Sequence, residues 1–149
     1  MSDPAEVRAK STLEEVRAKI DEQRAKATAV KEAQQAIDAQ AVYDAGEEHG
    51  VDKIREVPLT SFLPGLPTLV VIRRPSKIEH KRFTDLTAKK GAETPEYMRA
   101  AEQLASACVI YPPKEVYEEM CAECPGIKVP IGVAAANLAG AQLIDAAKL

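Results

Sequence analysis

Residue types that can do chemistry are concentrated in two short stretches of the chain. Cys121 and Cys124 have the Cys-x-x-Cys spacing that binds metal ions or carries out thiol exchange. A structural zinc site needs two further ligands, and the remaining candidates, none in a paired spacing, are Cys108, His49 and His80. A thiol-exchange pair lies at a helix start after a strand, whereas this pair lies at a predicted helix end. We therefore interpret the cysteines as structural thiols and predict no metal and no cofactor.

The second stretch is the densest basic cluster of the chain, formed by Arg73, Arg74, Lys77, Lys81 and Arg82. Phosphate can bind at a capped helix start, but no Gly-rich loop and few aromatic residues accompany this cluster, so we predict no nucleic-acid binding. Two interpretations stay open: a docking site for an acidic protein, or an ordinary solvated face. If it is a docking site, we expect it to extend along the helix to Phe83. His80 has no Ser, Cys or carboxylate arrangement around it, and no catalytic residue is predicted.

The segment from Thr68 to Phe83 must position these basic residues. Its apolar run, Leu69 to Ile72, is too short for a free-standing helix and is typical of a strand covered on both faces. Pro75 ends the strand, because it has no N–H to donate. Ser76 and Glu79 follow at the spacing of a capping box, which places a helix start at Lys77.

A second strand is predicted over residues 51–60, with Pro58 restricting it to a sheet edge. Pro64 and Gly65 are typical turn residues, so the two strands form one antiparallel β-hairpin with a longish loop. A hairpin alone is marginally stable in water, and the helices that follow must cover it.

Four short helices are predicted after the hairpin. The first runs from Lys77 to about Lys89, ends at Gly91, and directs toward the core Ile78, Phe83 and Leu86. The second is capped by Thr94, opens at Pro95, and has an apolar stripe of Tyr97, Ala101, Leu104 and Cys108. The third starts near Lys114, with its inward residues Val116, Met120 and Cys124. The last, residues 129–147, repeats small residues at Gly132, Ala136 and Gly140, which permit close helix packing.

The first 48 residues predict one long charged helix, capped by Ser2 or Asp3 and stopped by Gly46 and Gly50. A heptad seam runs through Leu13, Val16, Ile20, Gln23, Ala27, Val30, Gln34, Ile37 and Ala41. Alanine and glutamine dilute this seam. Two roles stay open: a solvated helix, lying against its own domain or free, and a weak coiled coil with a partner or a second copy.

Composition places the core in residues 51–149, since nine of the ten prolines and all three cysteines lie beyond residue 48. The predicted organisation is therefore an extended helix, 1–48, followed by a compact domain, 51–149. The predicted class is α+β and mostly helical.

Charge alternates from acidic to basic to acidic along the chain, which favours charge-complementary docking or self-association. Asp3 and Glu6 replace the positive charge of a signal peptide, so we expect a cytoplasmic protein, and interruptions in the last helix predict no membrane span.

With these elements placed, the chain resembles the small tail assembly chaperones of long-tailed bacteriophages over about residues 51–145. The resemblance rests on VVIRRPSKIEHKRF (70–83), on ACVIYPPKEVYEEM (107–120), and on the Leu-Ala-Gly step at residues 138–140 of the closing helix. The long charged helix and the LPGLP loop depart from the family pattern.

The resemblance implies a non-enzymatic protein that binds the tape measure protein in the host cytoplasm and keeps it soluble during tail assembly. Tail-tube subunits would then displace it, and it would be absent from the finished particle. One alternative is a structural or adaptor subunit that stays in a larger assembly and oligomerises through the N-terminal helix. Another, a thiol-redox or metal enzyme, depends on Cys121 and Cys124 alone.

Overall fold

The computed structural model describes residues 3–88 and 94–147. The helices are α1 (Pro4–His49), α2 (Lys77–Thr87), α3 (Pro95–Cys108), α4 (Lys114–Glu123) and α5 (Lys128–Ala147). The strands are β1 (Ile54–Pro58), β2 (Leu69–Arg73) and β3 (Val109–Tyr111), with short 3-10 turns at Val51–Lys53 and Pro125–Ile127. The predicted α+β class, mostly helical with a long N-terminal helix, is confirmed.

The sheet is antiparallel, with β2 between β1 and β3. The predicted hairpin is confirmed: β1 pairs with β2 so that Val57 lies opposite Val70, and Pro58 lies on an edge strand. Gly65 in the connecting loop has a φ of 84°, as the turn prediction requires. The third strand was not predicted, because three residues between a helix and two prolines carry too short a pattern to indicate a strand.

The core forms where α3 and α5 cover β2. Val70, Val71 and Ile72 are fully buried, so the central strand is covered on both faces as expected. Five small or apolar residues of α3 pack in this core, namely Ala100, Ala101, Leu104, Ala105 and Cys108. The predicted stripe of α3 is therefore confirmed, with Tyr97 half-buried at its start.

Close approach of α3 and α5 depends on Gly132. A β-carbon added to Gly132 would lie 1.9 Å from the backbone oxygen of Ala101, so only glycine fits there. By contrast, a β-carbon at Gly140 would meet nothing within 4 Å. The prediction of tight helix packing at small residues is therefore confirmed at Gly132.

The caps of the helices follow the sequence closely. Asp3 caps α1 by accepting from the N–H of Ala5, and Thr94 caps α3 by accepting from Tyr97. Both halves of the predicted capping box form at the start of α2. Gly50, with a φ of 95°, ends α1, but Gly46 lies inside the helix and does not stop it. The predicted helix stop at Gly91 lies outside the described residues.

Two inward positions predicted for α2 are wrong, because Ile78 is 82% exposed and Leu86 is 47% exposed. Phe83 is buried and packs edge-to-face on Tyr97, with ring centroids 5.7 Å apart. Ile78 lies five residues before Phe83, about 140° away around the helix, so both cannot face the core.

In α4 the packed face is rotated from the predicted one. Tyr117 and Cys121 are buried together with Met120. Two residues predicted to face inward, Val116 and Cys124, are only half-buried.

Candidate partner-binding surfaces

The first thirty residues of α1 lie outside the packed part of the molecule. Every residue from position 3 to position 33 is exposed, and the first half-buried side chain is Gln34. The heptad seam is therefore uncovered: Leu13 is 55% exposed, Ile20 39% and Val30 49%. An exposed apolar line on a solvated helix, even one interrupted at Gln23, is a surface that another amphipathic helix can cover.

The C-terminal third of α1 docks on the sheet through Asp38, which is fully buried. Its Oδ2 accepts hydrogen bonds from the N–H of Thr68 at 2.7 Å and from the Thr68 hydroxyl at 2.5 Å. Its Oδ1 accepts from the Tyr111 hydroxyl at 2.6 Å and from the Gln34 amide at 3.0 Å. These contacts cross the predicted boundary between residues 48 and 51, so the packed part of the chain begins near Gln34.

The Asp38 carboxylate is ionised at neutral pH in this site. Burial raises its pKa, but the hydrogen bonds from Thr68, Tyr111 and Gln34 together outweigh burial and hold the pKa below its usual value. Burial, followed by the hydrogen bond to Asp38, raises the pKa of the Tyr111 hydroxyl. This cluster was not predicted, because Asp38, Thr68 and Tyr111 are separated by tens of residues. The local signal is a drop in charge density after residue 32.

Arg73, a predicted partner-binding residue, is held inside the chain. Its guanidinium forms a two-point ion pair with Glu79, with N–O distances of 2.7 and 2.9 Å, and donates to the backbone oxygen of Ala107 at 2.8 Å. Glu79 also accepts from the N–H of Ser76 at 2.8 Å. The hydrogen bond from Arg73 is the main cause that lowers the Glu79 pKa to about 2. Arg73 thus joins the end of β2 to the start of α2 and to the end of α3.

Arg74 and Phe83 also make contacts within the molecule. Arg74 is half-buried and donates to the backbone oxygen of Asp52 at 3.0 Å, while its Nε is buried without a hydrogen-bond partner. The Phe83 ring faces the core and not the surface. Partner binding by these residues stays a prediction, and the structure gives Arg73, Arg74 and Phe83 intramolecular contacts.

The other predicted partner residues, Lys77, Lys81 and Arg82, are exposed on α2. Ile78 lies on the same face, three and four residues from Lys81 and Arg82, so this surface has an apolar centre with cationic flanks. Beside it, a groove of about 130 Å³ separates α2 from α3 and is lined by Arg82, Leu86 and Leu104 among others. The exposed part of α2 is therefore a second candidate surface.

The three cysteines are free thiols. Burial raises the pKa of Cys108 to about 11 and also raises the pKa of Cys121, so the reactive thiolate form is disfavoured at both. Cys124 is half-buried. Over residues 3–88 and 94–147, no cluster of three or more His, Cys, Asp or Glu side chains is placed to hold a metal ion.

Comparison with known proteins found no matching family model, no matching curated protein and no matching solved structure. Among the helices that the structure describes, none combines the length and apolar character needed to cross a membrane. The function is therefore inferred from the chain's own surfaces, above all from the uncovered seam of α1.

Proposed function

We propose that this protein is a non-enzymatic assembly chaperone that binds helical segments of a phage tape measure protein and keeps it soluble in the host cytoplasm. The observation that carries the proposal is the exposed heptad seam between Leu13 and Val30. A long helical protein exposes apolar stripes of the same period before it assembles, and a complementary helix covers them. The resemblance of residues 70–83 and 107–120 to tail assembly chaperones supports a tape measure protein as the partner.

Two features of the molecule suit a reversible contact. The seam contains Gln23 and Ala27 between its apolar residues, so it buries little area and binds weakly. The exposed cations of α2 add a second weak contact, and two weak contacts on one molecule act together through a high effective concentration. Tail-tube subunits that bind the same partner more tightly would then displace the chaperone.

Co-expression with the candidate tape measure protein tests this function. We expect the wild-type chain to increase the soluble fraction of the tape measure protein and to co-purify with it. A seam variant carrying Val16→Ser, Ile20→Ser and Val30→Ser should lose this effect. The matched control, Ala18→Ser, Ala25→Ser and Ala29→Ser, makes as many changes on the opposite face of the same helix and should keep it.

Two results would contradict the proposal. The first is a seam variant that solubilises the tape measure protein as well as the wild type does. The second is recovery of the protein at fixed stoichiometry in purified, finished particles, which would identify a structural subunit. Circular dichroism of both variants separates loss of binding from loss of helix.

A further inference from the structure

Between residues 10 and 32, the charged residues around the α1 seam are sorted by sign. In the heptad that places Leu13 at position a, every Lys and Arg between residues 10 and 32 falls at position e or g, beside the seam. These flanking cations are Lys10, Arg17, Lys19, Arg24, Lys26 and Lys31. Every acid of the same stretch falls at b, c or f, on the far side: Glu14, Glu15, Asp21, Glu22 and Glu32.

All of these charged side chains are exposed, so an approaching molecule meets cations beside the seam and acids on the far side of the helix. Lys26 forms the ion pair that the helix spacing permits, to Glu22 at 3.2 Å, but its side chain is still 76% exposed. Pairs of this kind are weak and leave the ammonium free to exchange partners. The seam is therefore an apolar line with cations along both edges.

Such a seam disfavours pairing with a second copy of itself. In a parallel pair, position g of one helix faces position e of the next heptad of the other, which sets Lys19 against Arg24 and Lys26 against Lys31. In an antiparallel pair, e faces e and g faces g, and these residues are again basic. The few apolar residues of the seam offer little burial to offset this repulsion.

We infer that the α1 seam is a binding site for an amphipathic helix of a different protein, one with an apolar seam flanked by Glu or Asp. The inference rests on the proposed function in taking α1 as the capture element, and it specifies the partner segment by its charge. Leu13 and Val30 lie about 26 Å apart along the helix axis, so the partner helix needs about five turns. Cationic flanks attract such a helix and reject basic helices and further copies of α1.

Two other classes of macromolecule fit the same residues less well. A membrane surface favours a wide apolar face with Trp, Phe or Leu, whereas this seam is narrow and contains Gln23. A nucleic acid needs an unbroken basic face, whereas the cations here lie on either side of an apolar line and the far side is acidic. Both classes are outcomes of the test.

The test uses the full chain and two synthetic helical peptides with identical Ile and Leu seams, one with Glu and the other with Lys at every e and g position. Calorimetry at low salt should give at least about tenfold tighter binding of the Glu peptide, because exposed charge pairs contribute modestly but add along the helix. High salt should reduce this preference. The reversal Arg17→Glu, Lys19→Glu, Arg24→Glu and Lys26→Glu should invert it.

A matched control reverses four charges on the far side: Glu14→Lys, Glu15→Lys, Asp21→Lys and Glu22→Lys. This variant should still prefer the Glu peptide. Equal binding of the two peptides, or a dimer of the wild-type chain in sedimentation that Leu13→Ala and Ile20→Ala dissociate, would overturn the inference. So would binding of vesicles containing phosphatidylglycerol, or of duplex DNA, under conditions where the Glu peptide does not bind.

Failure of the inference and failure of the proposed function give different results. If the Glu peptide binds but the tape measure protein stays insoluble, the charge selection holds and the proposed function fails. If the tape measure protein is solubilised equally well by the wild type and by the variant with reversed flanks, the function holds and the charge selection fails. Circular dichroism confirms that each variant keeps its helix.

Discussion

The hydroxyl of Tyr111 donates a 2.6 Å hydrogen bond to Asp38 and so joins the end of β3 to α1, across 73 positions of sequence. The second oxygen of the same carboxylate accepts two hydrogen bonds from Thr68, which directly precedes β2. One side chain therefore fixes the long helix to β3 and to the residue that precedes β2. The exposed part of α1 projects from this anchor.

Replacing Asp38 with Asn should destabilise the packed part of the molecule by about 1–3 kcal/mol, because the amide presents N–H donors where Thr68 or Tyr111 needs an acceptor. Urea denaturation at neutral pH measures this loss. The matched control is Asp44→Asn on the same helix, where the carboxylate is exposed and accepts a hydrogen bond from the Gln40 amide. Its effect should stay within about 0.5 kcal/mol, as is usual for surface sites. Equal effects of the two substitutions would contradict the anchoring role of Asp38.

Acid should weaken the ion pair of Arg73 and Glu79. The pKa of Glu79 is about 2 in the folded chain, below its ordinary value of 4.5. Its stabilisation is therefore complete above pH 4.5 and is lost as the pH falls toward 2, because the unfolded chain binds the proton first. Glu79→Gln should cost about 1–3 kcal/mol at neutral pH and make the free energy of unfolding less dependent on pH in this range.

The control for this prediction is Glu119→Gln, which changes an exposed glutamate of α4. We expect it to keep the wild-type slope of stability against pH. Asp38 still loses stabilisation on acidification, since its pKa is also lowered, so the Glu79 variant should become less acid-sensitive without becoming insensitive. An unchanged slope in that variant would show that the ion pair does not hold the Glu79 pKa down.

Adding one methyl group at Gly132 should separate α5 from α3. The new β-carbon would meet the Ala101 backbone at 1.9 Å, and backbone cannot rotate away as a side chain can. We expect Gly132→Ala to destabilise the protein by at least about 1–3 kcal/mol. Gly140→Ala is the matched control: its β-carbon has open space, so the better helix propensity of alanine should leave stability unchanged or raise it by about 0.5–1 kcal/mol. Thermal unfolding of both variants compares them directly.

Reversing the exposed cations of α2 tests the second candidate surface. Lys77→Glu, Lys81→Glu and Arg82→Glu together should change stability by less than about 1 kcal/mol. The soluble complex with the candidate tape measure protein should decrease, and decrease further as salt screens the remaining attraction. Lys53→Glu, Arg55→Glu and Lys114→Glu reverse exposed charges elsewhere and should keep the complex. Full solubilisation by the α2 variant at every salt concentration would make this helix an ordinary solvated face.

Local structure was predictable because it depends on neighbouring residues. The capping box of Ser76 and Glu79, the edge position of Pro58 and the turn at Gly65 each depend on residues within a few positions. The charge sorting around the α1 seam is likewise fixed by sequence, since helical period alone sets which side chains share a face. For this protein, the sequence by itself determined the helices, the two strands of the hairpin, the helix caps at Asp3, Ser76 and Thr94, and the character of the exposed helix, but not the short strand β3.

Tertiary structure decided which faces of these elements are buried. Ile78 has the same apolar character as Phe83, yet packing against α3 covers only Phe83. Folding brings Ala107, 34 positions away, to the Arg73 guanidinium. It likewise surrounds Asp38, which has the local sequence pattern of a surface acid, with Thr68 and Tyr111 from 30 and 73 positions away. Local patterns cannot encode contacts between residues tens of positions apart, because such contacts exist only once helices and strands have packed together.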